Sequence, residues 1–419
     1  MNSYESFRIV EPELQSKSNF TRNIPDLENN LVKDYLYKHY LSIVQSTELK
    51  ILKVIAIQNS NNPTITSPKV DFNQQTSMYS FSDYYQIYSV EFKDQSYELC
   101  FQSYSQYDFQ REFDFRENYI FISGSSLQSD KSKELWEYIF NESKKCSSLN
   151  CKMLRFINSE YPKSFLSCIE QINIPVNNLS ALFIPERKRT QLKRFIESIN
   201  NFRDTQTSLR FLLNGKPGTG KTQIINAIIN ETLGNVSVLT CNGGDLPIQK
   251  IFNFCGLFRP SLLVIDDLDF IAREREDNPR KNPLGEFLQA LDGLLPNNVF
   301  VLASTNDKKL VDAAAQRPGR FDMILDIAEI EPNNYLQLIR RETKDAEIIK
   351  LFDDDTLIYL RDKKVTGAFI VSLIKQVNNA SQLNGKISKP EFLDYLELAY
   401  KGFYDFNEET YKSAIGFNK

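Results

Sequence analysis

The 419-residue sequence is too long for one ordinary hydrophobic core and predicts two or three domains. Apolar residues make up 41% and charged residues 25% of the chain, as in globular proteins, and the formal charge of −4 argues against nucleic-acid or anionic-membrane binding. No apolar run reaches the roughly 18 residues that a membrane helix requires, and we expect no secretory signal. Six scattered cysteines and a single histidine favour a cytoplasmic protein without a zinc-type metal cage.

Residues 1–175 have the pattern of a mixed α+β domain rich in aromatic residues. A helix is predicted from Asp26 to about Ser46, followed by a strand over ELKILKVIAI. Apolar residues alternate from Tyr88 to Phe101 around the turn-like KDQS, which predicts a hairpin, and SKELWEYIFNESKK predicts an amphipathic helix. Because no basic residues interleave with the aromatics, we interpret this domain as an aromatic β core rather than a base-stacking surface.

Residues 176–330 alternate strands with helices, which predicts an α/β domain with a parallel sheet covered by helices on both faces. Strands are predicted at RFLLN, VSVLTC, SLLVID and VFVLAST. The helix PERKRTQLKRFIESI has one apolar face, and we interpret its basic side as a solvated surface rather than a nucleic-acid patch. Residues 331–419 have no comparable strands and predict a small helical subdomain with a C-terminal tail.

The octapeptide GKPGTGKT matches the phosphate-binding pattern G-x-x-x-x-G-K-[ST] and lies between a predicted strand and a predicted helix. Its glycines let successive backbone N–H groups converge on phosphate oxygens, and the helix that follows presents its positive dipole end there. Lys221 would bring a positive charge to the outer phosphates, and the Thr222 hydroxyl would ligate Mg²⁺. The predicted nucleotide-binding residues of this loop are Gly215, Lys216, Pro217, Gly218, Thr219, Gly220, Lys221 and Thr222.

A second motif, LLVIDDLD, places adjacent carboxylates at the end of a buried strand. We predict that Asp266 organises the Mg²⁺ shell with Thr222 and that Asp267 polarises the water that attacks ATP. Glutamate is usual at the second position, and aspartate is shorter by one methylene, roughly 1.5 Å. A displacement of about 1 Å can cost about a hundredfold in rate. Asp267 therefore leaves two hypotheses open: ATP hydrolysis, or ATP holding without turnover.

The stretch ALDGLLPNNVFVLASTNDKKLVDAAAQRPGRFD resembles the second region of homology of AAA ATPases, a branch of the AAA+ superfamily that includes hexameric protein-remodelling machines. The resemblance implies that Asn306 is a sensor that helps to hold the attacking water. It also implies that Arg317 and Arg320 reach into the site of a neighbouring subunit, where guanidinium groups stabilise charge on the transferred phosphoryl.

Two further segments extend the resemblance over about residues 178–385. VTGAFIVSLI is similar to the start of the family's second-sensor helix, where Gly367 and Ala368 would pack close to the base or ribose. Ile184 lies where the family has an adenine-pocket residue. The resemblance implies an AAA+ module with a helical lid, the ligands ATP and Mg²⁺, and a homo-oligomer in the form of a hexameric ring.

Three departures from the family pattern bear on function. Asp267 replaces glutamate, the family's histidine after the sheet has no counterpart, and the short segment CNGGDL lacks the aromatic pore loop of polypeptide-threading members. In its shortness this segment is similar to the Bcs1-like AAA branch, and we interpret Phe252 and Phe254 nearby as packing residues. The short segment argues against threading of a polypeptide through a pore. The presence of Asn306, Arg317 and Arg320 favours an ATP-driven machine or switch that moves its N-terminal domain against a protein partner. The alternatives are an ATP-clamped scaffold and a nucleic-acid-remodelling AAA+ protein, for which a basic groove is missing.

Overall fold

The computed structural model describes residues 18–57, 65–82, 85–108, 113–124, 129–157, 165–173, 176–202, 208–242, 246–269, 283–293, 298–306 and 319–405. The chain divides into two compact units. Met1–Ile172 and Asn253–Arg259 make up the first, called here the N-terminal unit, and Asn173–Phe252 and Pro260–Lys419 make up the second, called the C-terminal unit. Among the described residues, no helix combines the length and the apolar character that crossing a bilayer requires.

The N-terminal unit is a mixed α+β structure built on antiparallel strands. Its described strands are β1 (Phe20–Asn23), β2 (Leu49–Ile57), β3 (Ile65–Thr66), β4 (Val70–Asn73), β5 (Met78–Phe81), β6 (Tyr85–Phe92), β7 (Gln95–Asp108), β8 (Phe113–Gly124), β9 (Met153–Phe156) and β10 (Ile169–Gln171). Six of them form a sheet in the order β1-β8-β7-β6-β2-β3, while β4 pairs with β5 and β9 with β10.

Helices α1 (Asp26–Tyr40) and α2 (Ser129–Lys145) share a hydrophobic core with one face of this six-stranded sheet. The alternating residues Tyr88, Val90 and Phe92 of β6 face that core, because successive side chains of a strand point to opposite faces. The predicted hairpin is confirmed, since β6 and β7 pair antiparallel. Lys93 and Asp94 between them both have positive φ, 48° and 59°, as a tight two-residue turn of the right twist requires.

Helix α1 ends at Tyr40, earlier than the predicted end near Ser46. Ser42 adopts a left-handed φ of 59°, and the N–H of Ile43 turns back to the carbonyl of Lys38 at 2.8 Å. Inside the helix, Asp34 and Lys38 form a buried ion pair with a 2.8 Å Oδ2–Nζ distance. Asp34 Oδ1 accepts the N–H of Tyr79 at 2.7 Å, so the pair ties α1 to β5.

The C-terminal unit contains a parallel sheet, as the alternation of strands and helices predicts. Its strands are β11 (Arg210–Asn214), β12 (Ser237–Asn242), β13 (Ser261–Asp266), β14 (Val299–Thr305) and β15 (Met323–Asp326). They lie in the order β12-β13-β14-β11-β15, and each neighbouring pair is parallel. All residues of β14 and the first five of β13 are buried, as expected for a sheet covered on both faces.

The helices between residues 186 and 293 are α3 (Glu186–Asn200), α4 (Lys221–Thr232), α5 (Ile248–Leu257) and α6 (Pro283–Gly293). The predicted apolar face of α3 is confirmed, because Leu192, Phe195, Ile196 and Ile199 are its buried residues. Phe252 and Phe254 are each only 1% exposed, which confirms that they are packing residues. The tip of the short CNGGDL segment, residues 243–245, lies outside the described residues.

The chain after β15 is helical, as predicted. It forms α7 (Tyr335–Glu342), α8 (Ala346–Leu351), α9 (Asp354–Asp362), α10 (Gly367–Asn384) and α11 (Lys389–Tyr400), which enclose a core of their own that includes Leu338, Phe369, Leu373 and Phe392. Side chains cap the N-termini of α10 and α11. Thr366 accepts the N–H of Phe369 before α10, and Ser388 forms a capping box with Glu391 before α11. Thr366 thereby fixes where α10 begins, next to Gly367.

We expect Asp34→Ala to destabilise the N-terminal unit by about 3–5 kcal/mol, because Lys38 would stay buried without its carboxylate. The measurement is urea unfolding followed by the fluorescence of Trp136, the chain's single tryptophan, which lies in the core of this unit. Asp71→Ala on β4 removes an exposed carboxylate and serves as the matched control, with a change within about 0.5 kcal/mol. Equal midpoints for the two variants would contradict a stabilising role of the buried pair.

Candidate nucleotide-binding site

The loop between β11 and α4 has the backbone that its glycines make possible. Gly218 and Gly220 have φ of 79° and 97°, and Gly220 is the left-handed residue before α4. A Cβ at Gly218 would meet Thr366 Oγ1 at 2.9 Å, and one at Gly215 would meet the Ile327 carbonyl oxygen at 2.2 Å. Glycine is therefore needed at 218 for both conformation and space, and at 215 for space.

Lys221, the first residue of α4, is 6% exposed and lies under this loop. Its ammonium donates to the carbonyl oxygens of Gly215 at 2.7 Å and Lys216 at 3.1 Å, and to Asn306 Oδ1 at 2.7 Å. Burial lowers the pKa of Lys221, and the nearby carboxylates, Asp267 foremost, oppose that shift. The ammonium therefore lies against the loop backbone, next to the carboxyl ends of β13 and β14.

Asp266 ends β13 and has both carboxylate oxygens bonded to hydroxyls. Thr222 Oγ1 donates to Oδ2 at 3.0 Å, and Ser304 Oγ donates to Oδ1 through a short hydrogen bond. A hydroxyl and a carboxylate are hard oxygen donors, which Mg²⁺ prefers. Thr222 and Asp266, brought together from α4 and β13 as predicted, thus fit the magnesium of a bound Mg²⁺–nucleotide complex.

Asp267 follows in a left-handed conformation, with φ of 56°. Its Oδ1 accepts the side-chain amide N–H of Asn306 at 3.0 Å. Burial raises the pKa of Asp267, the charges of Asp266 and Asp269 add to the rise, and the Asn306 amide and Lys221 oppose it. Aspartate tolerates the left-handed region better than most residues, which gives a backbone reason for the shorter acid at this position.

A third carboxylate, Asp269, ends the LLVIDDLD motif, and the motif by itself assigns it no role. The structure places it, buried, below Asn306: its Oδ1 accepts the Asn306 N–H at 3.1 Å and the Thr305 hydroxyl at 3.3 Å. Asp269 thereby holds the backbone from which the Asn306 amide reaches Asp267. Ser304 and Asp269 are site residues that sequence reasoning missed, because both act through side chains that lie far away in sequence.

A cavity of about 1070 Å³ extends from this loop to the helical subdomain. Ile184, Gly367 and Ala368 line it, and the Ala368 N–H donates to the Gly218 carbonyl at 3.3 Å. Sequence reasoning did not anticipate further lining residues from the segment before α3 and from the helical subdomain: Val176, Leu182, Ile330, Leu338, Arg341 and Lys375. No sequence signal marks the apolar ones, because an apolar pocket wall and an apolar core have the same composition.

Two basic residues of α3, Lys188 and Arg189, contact the protein itself, which corrects the interpretation of this side as solvated, while Arg187, Lys193 and Arg194 are exposed. Arg189 donates to the carbonyl oxygens of Leu179, Leu182 and Ile184, and its side chain is 15% exposed. Lys188 donates to the Asp326 carbonyl at the end of β15. Carbonyl groups of the segment before α3 and of β15 therefore lie within reach of this side of the helix.

The same segment is also held from the helical subdomain. Arg341 of α7 donates to the Ala181 carbonyl at 3.1 Å, and its guanidinium lies over the Phe183 ring at 5.1 Å from the centroid. Residues 179–184 therefore form one wall of the cavity and are fixed by arginines from two elements. The apolar residues of this wall, Ile184 among them, line one end of the cavity.

The remaining predicted residues are placed as follows. Lys216 pairs with Glu329 at 2.8 Å, and the Thr219 hydroxyl donates to the Lys216 carbonyl at 2.9 Å, while Pro217 lines the cavity. Arg320 is 11% exposed at its side chain and contacts Asp292 of α6 at 3.1 Å. Arg317 lies outside the described residues.

Taken with the sheet order, this site defines an α/β nucleotide-binding module of the phosphate-loop type with a helical subdomain. Residues 211–329 match the model of the ATPase family associated with various cellular activities (AAA). Residues 211–329 thus make up a domain of this ATPase type, and an α+β region of antiparallel strands precedes it along the chain.

Related proteins agree with this assignment. The chain is 27% identical over 212 residues to the ATP-dependent zinc metalloprotease FtsH 3 of Conexibacter woesei, covering 46% of this chain and 28% of that protein. It is 33% identical over 181 residues to Protein CdcH of Halobacterium salinarum, covering 39% and 24%. It is 32% identical over 166 residues to the proteasome-activating nucleotidase of Aeropyrum pernix, covering 36% and 41%. The chain thus spans well under half the length of these relatives.

We expect Gly218→Ala to weaken the binding of a fluorescent ATP analogue at least tenfold, because the added methyl group would crowd Thr366 and Ala368 at a left-handed residue. Gly234→Ala is the matched control, since Gly234 also has a left-handed φ, 98°, but has nothing within 4 Å of the added Cβ. Titration of both variants separates crowding in the site from backbone strain alone. Equal affinities in the two variants would contradict the close approach of the loop to α10.

Proposed function

We propose that this chain binds ATP with Mg²⁺ in the described cavity and hydrolyses it. The observation that supports this most is a continuous hydrogen-bonded path from the Lys221 ammonium through the Asn306 amide to the Asp267 carboxylate. It runs beside the Thr222–Asp266 pair. One loop is thus adjoined by a cation that can bind phosphate, by two oxygen ligands for Mg²⁺ and by a carboxylate that can bind the attacking water.

In this proposal each residue has one task. Lys221 exchanges its Gly215 and Lys216 carbonyl partners for phosphate oxygens, and the loop N–H groups and the start of α4 hold the same phosphates. Thr222 and Asp266 hold the magnesium, which supplies charge neutralisation to the phosphates when bound. Asp267 orients the attacking water and accepts its proton, and Asn306 fixes both the carboxylate and the water. Ile184, Gly367 and Ala368 contact the base or ribose.

The oligomer and the partner are part of the proposal. We infer a homo-oligomeric ring, with six subunits as the resemblance implies, in which Arg317 and Arg320 act on the nucleotide of a neighbour. In the described chain Arg320 is held by Asp292 of its own subunit, so it would have to leave that carboxylate to act in this way. The N-terminal unit would recognise a protein partner and be moved against it, in a cytoplasmic setting that the scattered thiols favour.

The second candidate function is an ATP-clamped scaffold that turns over little or no nucleotide. Asp267 favours it, because a carboxylate that is one methylene shorter reaches less far toward the terminal phosphate. The Asn306–Asp267 hydrogen bond favours hydrolysis instead, since both residues line the cavity and the bond holds the carboxylate there.

The two candidates are separated by steady-state ATP hydrolysis at increasing protein concentration, with Lys221→Ala as the blank. We expect turnover above the blank that rises cooperatively, because the site would need a neighbour's arginine. Asp267→Glu is measured alongside. A glutamate at this position must adopt a left-handed backbone conformation, which costs roughly 1–2 kcal/mol. No turnover in the native protein together with turnover in Asp267→Glu would establish the scaffold.

We expect Arg317→Ala to retain ATP affinity and to lose turnover by about a thousandfold or more, as for arginines that act on a neighbour's phosphoryl group. Mixtures with native protein should fall below the sum of the two activities, because each variant subunit disables an adjacent site. Arg361→Ala, an exposed arginine on α9 paired with Asp362, is the matched control and should behave as the native protein does. Normal turnover by Arg317→Ala would exclude the arginine from catalysis.

A further inference from the structure

Ser304 is the penultimate residue of β14, and it is fully buried, with 0% exposure. Its hydroxyl has two partners on the neighbouring strand end. It donates to Asp266 Oδ1 through a short hydrogen bond, and it accepts the backbone N–H of Asp267 at 3.0 Å. One hydroxyl thus joins the two adjacent acids of the site, one by its side chain and the other by its backbone.

This bridge fixes the direction of both carboxylates. The Asp266 carboxylate is held between Ser304 at Oδ1 and Thr222 at Oδ2, so it cannot rotate without breaking a hydrogen bond. The Asp267 N–H is anchored at the point where the backbone turns into its left-handed conformation, φ 56°. That turn aims the short side chain at the Asn306 amide. A residue without a hydroxyl at 304 would leave a buried N–H and one carboxylate oxygen without these partners.

We propose that Ser304 is a positioning residue for Mg²⁺-dependent nucleotide binding and turnover. Through Asp266 it orients a ligand of the magnesium, and through the Asp267 backbone it places the carboxylate that faces the attacking water. This inference rests on the proposed binding of Mg²⁺–ATP. Groups that orient metal ligands typically contribute about 10- to 100-fold to metal affinity or activity, which sets the expected size of the effect.

The test compares Ser304→Ala with Ser261→Ala. Ser261 is also a buried serine of this sheet, but it lies at the start of β13, opposite Val299 at the other end of β14. Binding of a fluorescent ATP analogue is titrated in magnesium and in EDTA, and thermal unfolding of each variant is recorded. We expect Ser304→Ala to lose about 10-fold or more of the affinity gained on adding magnesium, with unchanged affinity in EDTA, whereas Ser261→Ala keeps both.

Turnover provides a second readout. Ser304→Ala should lower kcat more than it raises KM, because Asp267 would act after binding, and Ser304→Thr should recover part of both losses because it keeps the hydroxyl. An equal loss of affinity in magnesium and in EDTA, or a melting temperature far below that of Ser261→Ala, would mean a merely structural serine and would overturn the proposal. If Ser304→Ala gained as much nucleotide affinity from magnesium as the native protein does, the proposal would be overturned as well.

The outcomes for the two proposals are distinguishable. A native protein that binds Mg²⁺–ATP without hydrolysing it refutes the proposed hydrolysis. The increase in nucleotide affinity on adding magnesium still decides the role of Ser304 in that case. A native protein that binds no nucleotide in either condition refutes both.

Discussion

The register of three neighbouring parallel strands is the constraint on which the site depends. Ile265 of β13 lies opposite Ala303 of β14, and Thr305 of β14 lies opposite Asn214 of β11, so the three carboxyl ends meet at one edge of the sheet. The phosphate loop, the two adjacent acids and Asn306 each follow directly from one of these ends. A shift of one residue in any pairing would turn these side chains to the other face of the sheet.

Three carboxylates lie at this edge of the sheet, and the structure shows how their like charges are accommodated. Asp266, Asp267 and Asp269 lie close enough that the first and third raise the pKa of Asp267. Each has a different set of donors: hydroxyls for Asp266, the Asn306 amide for Asp267, and the Asn306 N–H with the Thr305 hydroxyl for Asp269. Asp267 also has a left-handed backbone, with φ of 56°, and such strain is typical of functional positions.

The apolar end of the cavity is organised by a different principle. The carbonyl groups of the segment 179–184 accept hydrogen bonds from the guanidinium groups of Arg189 on α3 and Arg341 on α7. Because Arg341 belongs to the helical subdomain, the cavity wall is shared between that subdomain and the segment that precedes the sheet. A displacement of the helical subdomain would therefore change the shape of the pocket directly. This is the kind of coupling that a nucleotide-driven switch requires.

Much of the fold and the core of the site could be predicted from the sequence, because these features are local. Local patterns predicted β2, β6 and β7 in the N-terminal unit, β11 to β14 in the C-terminal unit and the helical character of the chain after β15, and the position of GKPGTGKT after a strand located the phosphate loop. Local patterns were less reliable where a single backbone angle decides the outcome, as at Ser42, where α1 ends early.

Residues that act through distant partners could not be found in this way. Ser304 and Asp269 look like ordinary polar residues until the strands are aligned, and Arg189 looks like one charge among several on an exposed helix face. The sequence by itself determined which chemical groups are available at the phosphate loop and at the end of β13, since that choice is made by residue type and short spacing. Only the tertiary structure decided how those groups are oriented, because their hydrogen-bond partners come from strands and helices far apart along the chain.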